Sequence, residues 1–558
     1  MADAPAANII SQKKRLGLIF LTGLLLRLSW PGSIGLDHFD EGIYAFAGEW
    51  PFARGGLASL DPALIPYGPP VTSVQIGICN ILLGGPSDFS AILPGLLCGS
   101  FAVLVIGRLS AKIFTPQAGL FSAILLATSG AGIAFSRSAL TDAPLMLVWL
   151  STIYYGLHFL IRPSFISSIL FGAGVGLTQL TKYNGALTGV IVALTALVDV
   201  AYVPREKVRD FHLFAKRIGW GLFAILIAFL IYLPWIQFVE RHGGYRALMK
   251  HHSGYMGGVE TWFSHLKLQL AQASVFQWQW SLMILVVVGC IWVGASNQNQ
   301  ATQTKIKWPV VWTILLCLIP NGIWICSIIR APRLLRSPEV GLKLIAVWLI
   351  FLSILTPFYH PYARLWLPTM MACFVVAGSI LDEIWSGQFL SDLTPLNFRT
   401  VVRKKEFVAG LLIFFMVTSF QIPLQLPGVW SGRGALKADI VKLVPQIQAS
   451  VSKGRTVSLY VSPAVRWQLR NATPTSGFGP GRLANLPDLQ AYQSGPLLLD
   501  RGLLNELEYE EFLKRNPKIK KQMQSEKSQR GLITILDIAP DASLGSLMPG
   551  IGLEWLGD

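Results

Sequence analysis

Apolar runs near 20 residues long, repeated along the chain, constrain this fold more than any motif does. A helix rising 1.5 Å per residue needs about 20 residues to cross a hydrocarbon core. With no water there, its backbone groups must be satisfied internally. Runs of this kind cover residues 16–30, 89–113, 118–135, 143–160, 166–180, 187–200 and 218–235. They return at 281–293, 310–329, 342–356, 365–381 and 408–420. Charged residues make up only 14% of the 558, against about a quarter in a soluble enzyme. The expected class is an α-helical polytopic membrane protein of about 12 spans.

The formal net charge of +16 would suit a nucleic-acid binder, but its distribution says otherwise. Lys and Arg concentrate between apolar runs, at 13–15, 205–217, 330–336 and 403–405, the pattern of cytoplasmic loops. No nucleic-acid partner is expected. Arg27 interrupts the first apolar run and no small-residue cleavage site follows, so this run reads as a first span with a cytoplasmic N-terminus. The six cysteines all lie in apolar surroundings and read as small core residues.

Counting crossings from that start puts several polar stretches on the non-cytoplasmic side. They are a first outer loop at 37–88, SRSALTDAPL at 136–145, TKYN at 181–184, the His-rich stretch 237–277 and HPYAR at 360–364. Within the first loop, 71–83 follows Pro69-Pro70 and is short for a span, so it reads as an interfacial helix. Parity does not close between 277 and 330, and Pro320-Asn321 is where a broken crossing is expected. The membrane domain takes in residues 1–426. Beyond it, 456–462, 496–500 and 532–538 read as strands and 506–526 as a charged helix, a small soluble α/β domain over 427–558. That domain shows no catalytic constellation.

The chemistry-bearing stretch is LDHFDEGIYAFAGEW at 36–50, which packs Asp37, Asp40, Glu41 and Glu49 into an acid-poor chain. Ionisable groups near a membrane are retained when they face a cavity or pair. Asp40 and Glu41, together with Asp142, are the candidate catalytic acids. Arg137, Lys182, His360, Tyr362 and Arg364 are the candidate cationic and polar partners. Such a set would deprotonate a hydroxyl and hold an anionic leaving group. Plainer readings stand beside these: Asp40 and Asp142 each suit a helix start. Arg137 would serve as a structural partner of Asp142, and Lys182 or Arg364 would snorkel. Adjacency leaves Asp40 and Glu41 inseparable on sequence. No cofactor is required; a divalent metal, if used, would find His251, His252 and His265, whose spacing fits no ligand motif.

The order of motifs resembles the GT-C polytopic glycosyltransferases, in the branch of protein O-mannosyltransferases and lipid A aminoarabinose transferases. The carriers are the Asp40-Glu41 pair after the first span, YGPPV at 67–71, R-x-x-x-x-D-x-P-L at 137–145, LTK at 180–182, Pro234-Trp235 and HPYARLWLP at 360–368. The resemblance implies inverting transfer of a sugar from a polyprenyl-phosphate carrier to an acceptor on the non-cytoplasmic face of a bacterial inner membrane. The acceptor would be a glycolipid, glycan or protein. Asp40 would be the base, Asp142 the second acid, and Lys182, Tyr362 and Arg364 the groups around the carrier phosphate. Tyr44 and Tyr67 complete the substrate-binding list. Many relatives carry Lys or His before the two prolines, where this chain has Tyr67-Gly68, so Arg364 or Lys182 would cover that role. The other reading is a flippase or transporter of lipid-linked sugars, which would be built on broken helices and midplane charges.

Overall fold

A computed structural model of the chain describes residues 4–29, 35–53, 56, 68–201, 211–276, 321–386, 435–453, 458–470, 476–477, 495–500, 510, 514 and 533–538. In chain order the first helices are α1 (Ala4–Leu28), α2 (Phe39–Ala47), α3 (Val71–Leu82), α4 (Asp88–Ile113), α5 (Pro116–Thr128) and α6 (Gly130–Ser136). Next come α7 (Asp142–Ile161), α8 (Phe165–Thr181), α9 (Leu187–Ala201), α10 (Phe211–Arg241), α11 (Gly244–Ser253) and α12 (Val259–Phe276). The series ends with α13 (Gly322–Leu335), α14 (Val340–Leu355), α15 (Leu367–Ser386), α16 (Ala435–Ser452) and α17 (Pro463–Leu469). Four strands follow or interleave the last helices: β1 (Ser458–Tyr460), β2 (Ser476–Gly477), β3 (Gly495–Asp500) and β4 (Ile533–Ile538).

Contacts divide the chain into two compact units, one of residues 1–29, 95–136 and 141–429, the other of 30–94, 137–140 and 430–558. The first is the helical membrane body. In it α8 packs on both α7 and α10, α5 packs on α1 and α15, and α14 lies against α9, α13 and α15. Among the described residues five helices are long and apolar enough to cross a membrane, or six when a bent pair counts as one span. Shorter apolar helices occupy two of the expected crossings, at Phe165–Thr181 and Leu187–Ala201. The protein is thus an integral membrane protein. The expected runs 281–293 and 408–420 lie outside the described residues.

One expected crossing is corrected and one expected break is met. The run 118–135 is not one helix: α5 and α6 meet at a bend of 57°. Ser129 is extended there, and its hydroxyl accepts from the Gly132 amide at 3.1 Å, capping α6. The carbonyl end of α5 is closed by Arg27, fully buried in α1. Its guanidinium donates to Ala127 O at 3.2 Å, Leu126 O at 3.4 Å and Ser136 Oγ at 3.1 Å. A cation at a helix C-terminus meets both the orphan carbonyls and the dipole. Of the run 310–329 the described part starts at Asn321, where the break is expected. Asn321 has φ +63° and precedes α13, a left-handed turn that Asn tolerates better than most residues. Its side-chain amide donates to Leu270 O at 2.9 Å.

A buried ion triad that apolar periodicity hid joins three further segments. Asp199 on α9 accepts from Lys343 Nζ of α14 at 2.7 Å and from Arg217 of α10 at 2.8 Å. Arg217 also donates to Leu160 O at 2.9 Å.

The second unit brings together the first outer loop and the tail, which lie in different domains by sequence. Its sheet has the order β2-β1-β3-β4, with β1 parallel to β2 and β3, and β4 antiparallel to β3. The three strands read from the sequence are present, and β2 is additional. The expected helix 506–526 lies outside the described residues, apart from two isolated positions. A small core of Leu436, Ile440, Leu443 and Ile447 from α16 closes on Val461, Val465 and Leu469 around α17. The helix α2 packs against α17 and α3.

Candidate active site

The acids of the first loop are separated by the second unit's local geometry. His38 is the N-cap of α2: its Nδ1 accepts from the Asp40 amide at 3.1 Å. Glu41 stands at the third helical position and completes a capping box. Its Oε2 accepts from the amides of Asp37 at 2.9 Å and His38 at 2.8 Å, and its Oε1 from the Ala139 amide at 2.9 Å. The Glu41 side chain is 0% exposed. It is committed to holding the helix start and the 137–140 segment together. Asp40, one residue earlier, points differently, and 17% of its side chain stays exposed. Its Oδ2 lies 3.9 Å from His38 Nδ1, the nitrogen that accepts the Asp40 amide.

Of the other candidates in this unit, Arg137 is fully buried. Tyr44 is buried within α2, its hydroxyl packed on Gly68. Tyr44 is therefore seated as a packing residue of the loop. Tyr67 lies outside the described residues.

The remaining candidates assemble in the membrane body. Asp142 begins α7, buried to 1% exposure, and its Oδ1 accepts from Lys182 Nζ at 2.7 Å. Lys182 is the C-cap of α8, 18% exposed, so two helix ends meet through one ion pair. Asp142 Oδ2 is buried with no hydrogen-bond partner among the described residues. An acceptor atom left this way is costly unless something else donates to it.

From Lys182 an aromatic and imidazole chain runs to HPYAR. The ring of Tyr183 meets His252 edge-on at 5.5 Å, and His252 Nδ1 is 3.1 Å from the Tyr359 hydroxyl. Tyr359 stacks on Tyr255 at 5.9 Å. His360 donates its amide to Tyr255 O at 2.8 Å, and its ring lies 4.5 Å from Tyr362. The Arg364 guanidinium sits 5.2 Å from the Tyr362 ring centroid, a cation–π distance. On the other flank, His265 Nδ1 is 3.1 Å from Pro357 O, and Gln269 donates to Thr356 O at 3.2 Å. The polar stretch after α10 is therefore stitched onto 354–360. Its entry turn needs Gly243 and Gly244, whose φ angles of +107° and +73° other residues avoid.

Lys182, His252, His265, His360, Tyr362 and Arg364 thus belong to one cluster. Tyr183, Tyr255 and Tyr359 are its unforeseen members; only their adjacency to the predicted motifs could have flagged them. Burial pushes the Tyr183 and Tyr245 phenols above their usual range, so both remain hydroxyl donors at neutral pH. Tyr245 donates to the Tyr232 hydroxyl at 2.9 Å, tying α11 to α10. The metal candidates are not arranged as a ligand set. Among the described residues no group of three or more His, Cys, Asp or Glu has metal-holding geometry. The Nδ1 atoms of His252 and His265 are engaged with protein oxygens.

Helical body, charged helix ends and an α/β tail together define a membrane fold of the GT-C type. Particular likenesses agree. The family described as dolichyl-phosphate-mannose-protein mannosyltransferase matches residues 67–238. The structure of ArnT from Cupriavidus metallidurans bound to undecaprenyl phosphate is similar at a TM-score of 0.58 and 15% identity, over 97% of this chain and 99% of that one. The same protein in its apo state gives 0.58 at 14% identity with the same coverage. The Archaeoglobus fulgidus oligosaccharyltransferase in the apo form gives 0.53 at 12% identity, over 96% of this chain and 76% of that one. No curated protein sequence matches the chain. At these identities the likeness to solved structures is one of fold.

Proposed function

We propose that this protein is an inverting glycosyltransferase that moves a sugar from a polyprenyl-phosphate carrier to an acceptor hydroxyl or phosphate. The reaction would take place on the non-cytoplasmic face of a bacterial inner membrane. The observation that carries this reading is the division of labour between two adjacent acids. Glu41 spends its whole carboxylate on three backbone amides, while Asp40 keeps part of its own open to solvent. A base must reach its substrate, so Asp40 takes the acceptor proton as the hydroxyl attacks the anomeric carbon. The bond from that carbon to the carrier phosphate breaks, and the phosphate leaves as an anion. Arg364, Lys182 and the His360–Tyr362 pair supply the positive and donor groups suited to it. The Asp142 oxygen that lacks a partner among the described residues would accept a hydrogen bond from substrate. The family match and the undecaprenyl-phosphate-bound structure with this fold support the donor class.

A transporter would use the break between α5 and α6 as its binding point, with bare half-helix ends facing an ion or substrate. Here both ends are already occupied, one by Arg27 and the other by Ser129. Enzyme is the better reading. The test is release of polyprenyl phosphate from an undecaprenyl-phosphate sugar by purified protein, with membrane lipid extract as the acceptor pool. Asp40→Asn is expected to lose about 10²- to 10⁴-fold in rate, the usual share of a general base. A folded Asp40→Asn protein that transfers at the wild-type rate would rule the assignment out.

A further inference from the structure

The tail is built directly onto the helix that carries Asp40. At Gly42, in the middle of α2, a Cβ would lie 2.2 Å from the Pro463 carbonyl carbon and 2.3 Å from the Ala464 nitrogen. Only glycine permits that approach, so the start of α17 sits in backbone contact with α2. One turn further along α2, Phe46 packs edge-on against Trp467 at 5.3 Å and 77°. Such aromatic pairs contribute about 0.5–1.5 kcal/mol beyond their burial.

Trp467 is itself pinned. Its indole N–H donates to Asp88 Oδ1 at 2.9 Å, and Gln468 donates to the same oxygen at 3.2 Å. Lys437 of α16 reaches Asp88 Oδ2 at 2.8 Å. The Arg470 guanidinium stacks 4.0 Å above the Trp467 ring and donates to Pro86 O at 3.1 Å. Asp88 is buried, and its carboxylate accepts three donors from the tail. None of these groups can take part in bond-making if Asp40 is the base. Their shared effect is on where α2 sits.

We propose that α17 is a positioning element of the transfer reaction: Trp467, fastened to Asp88 and packed on Phe46, fixes the seat of α2 and so the aim of the Asp40 carboxylate. This rests on the role given to Asp40 above. Misplacing a catalytic group by about 1 Å costs on the order of 10²-fold in rate, without weakening contacts made elsewhere to the substrate. The tail is then neither a free-standing module nor a passive cap.

The test uses the full-length protein with Trp467→Ala and Trp467→Phe, read by hydrogen exchange of residues 39–47 and by transfer kinetics from undecaprenyl-phosphate sugar. In Trp467→Ala, exchange in α2 should rise and kcat should fall about 10- to 100-fold, with KM for the donor within about twofold of wild type. Trp467→Phe keeps the ring contact and loses the N–H, so it should recover part of kcat. Unchanged α2 exchange, or a loss in donor KM instead of kcat, overturns the proposal. If Trp467→Ala strips protection from β3 and β4, Asp88→Asn replaces it, with the same two readouts and outcomes. Should the wild-type protein transfer nothing, the function falls, while the exchange data still decide whether α17 seats α2.

Discussion

Replacing Glu41 by Gln should loosen the acid-bearing helix without touching the Asp40 side chain. Glu41 receives three amides, two on Oε2 and one on Oε1, all in a site without water access. Glutamine offers one oxygen and one NH₂. Its best orientation keeps the oxygen toward Asp37 and His38 and turns the NH₂ toward the Ala139 amide, where two donors then face each other. Hydrogen bonds to a charged acceptor contribute roughly 1.5–3 kcal/mol each and neutral ones about 0.5–1.5. Two weakened bonds and one lost, with a donor stranded, sum to about 3–5 kcal/mol of local destabilisation. Because each 1.4 kcal/mol is tenfold, protection of the 37–41 and 139 amides should fall by about 10²- to 4 × 10³-fold in hydrogen exchange. Asp40→Asn, measured alongside, should leave that protection within about threefold of wild type and slow transfer about 10²- to 10⁴-fold. The reasoning fails if Glu41→Gln keeps wild-type protection at Ala139, or if Asp40→Asn opens the helix start as widely as Glu41→Gln does.

Two further outcomes follow from the membrane body. Lys182→Met strands the buried Asp142 carboxylate and should destabilise by about 3–5 kcal/mol, whereas the double variant with Asp142→Asn should regain most of the thermal stability without regaining transfer. A thermal-shift series on the two single variants and the double one reads the coupling. Asp199→Asn removes the carboxylate shared by Lys343 and Arg217. Detergent-purified protein should then melt well below wild type, again by about 3–5 kcal/mol, and an unaltered melting temperature would show that the triad carries no net stabilisation.

Much of this structure was legible in the sequence because lipid imposes a simple length rule. Apolar runs became helices of 15–26 residues within a residue or two of their expected ends at α4, α7, α8 and α9. The break at Asn321 was legible from Pro320-Asn321. The misreading at Ser129 has a plain cause: α5 stops there inside an apolar run, where hydropathy is silent and only backbone and polar contacts decide. Asp199 and Lys343 were unreadable for the same reason: each lies in an apolar run and gains meaning only from its partner on another helix. The Asp40–Glu41 ambiguity could not be resolved by spacing, since adjacent residues share every pattern. It took the direction of one side chain, toward Ala139, to separate them. The bond between Asp88 and Trp467 spans most of the chain, and no local pattern announces it.

The second compact unit is also a statement about timing. Its first stretch ends at Pro94 and its last begins at Trp430, so 335 residues separate the pieces that must meet. At roughly 5–20 residues per second, a ribosome needs about 17–70 s to supply the missing part. Throughout that interval the membrane body can insert and pack while α2 has no α17 to lean on. The acid-bearing helix is completed last, by the tail of the same molecule. A nascent copy, or one truncated before α17, would hold an assembled bundle with α2 still unseated.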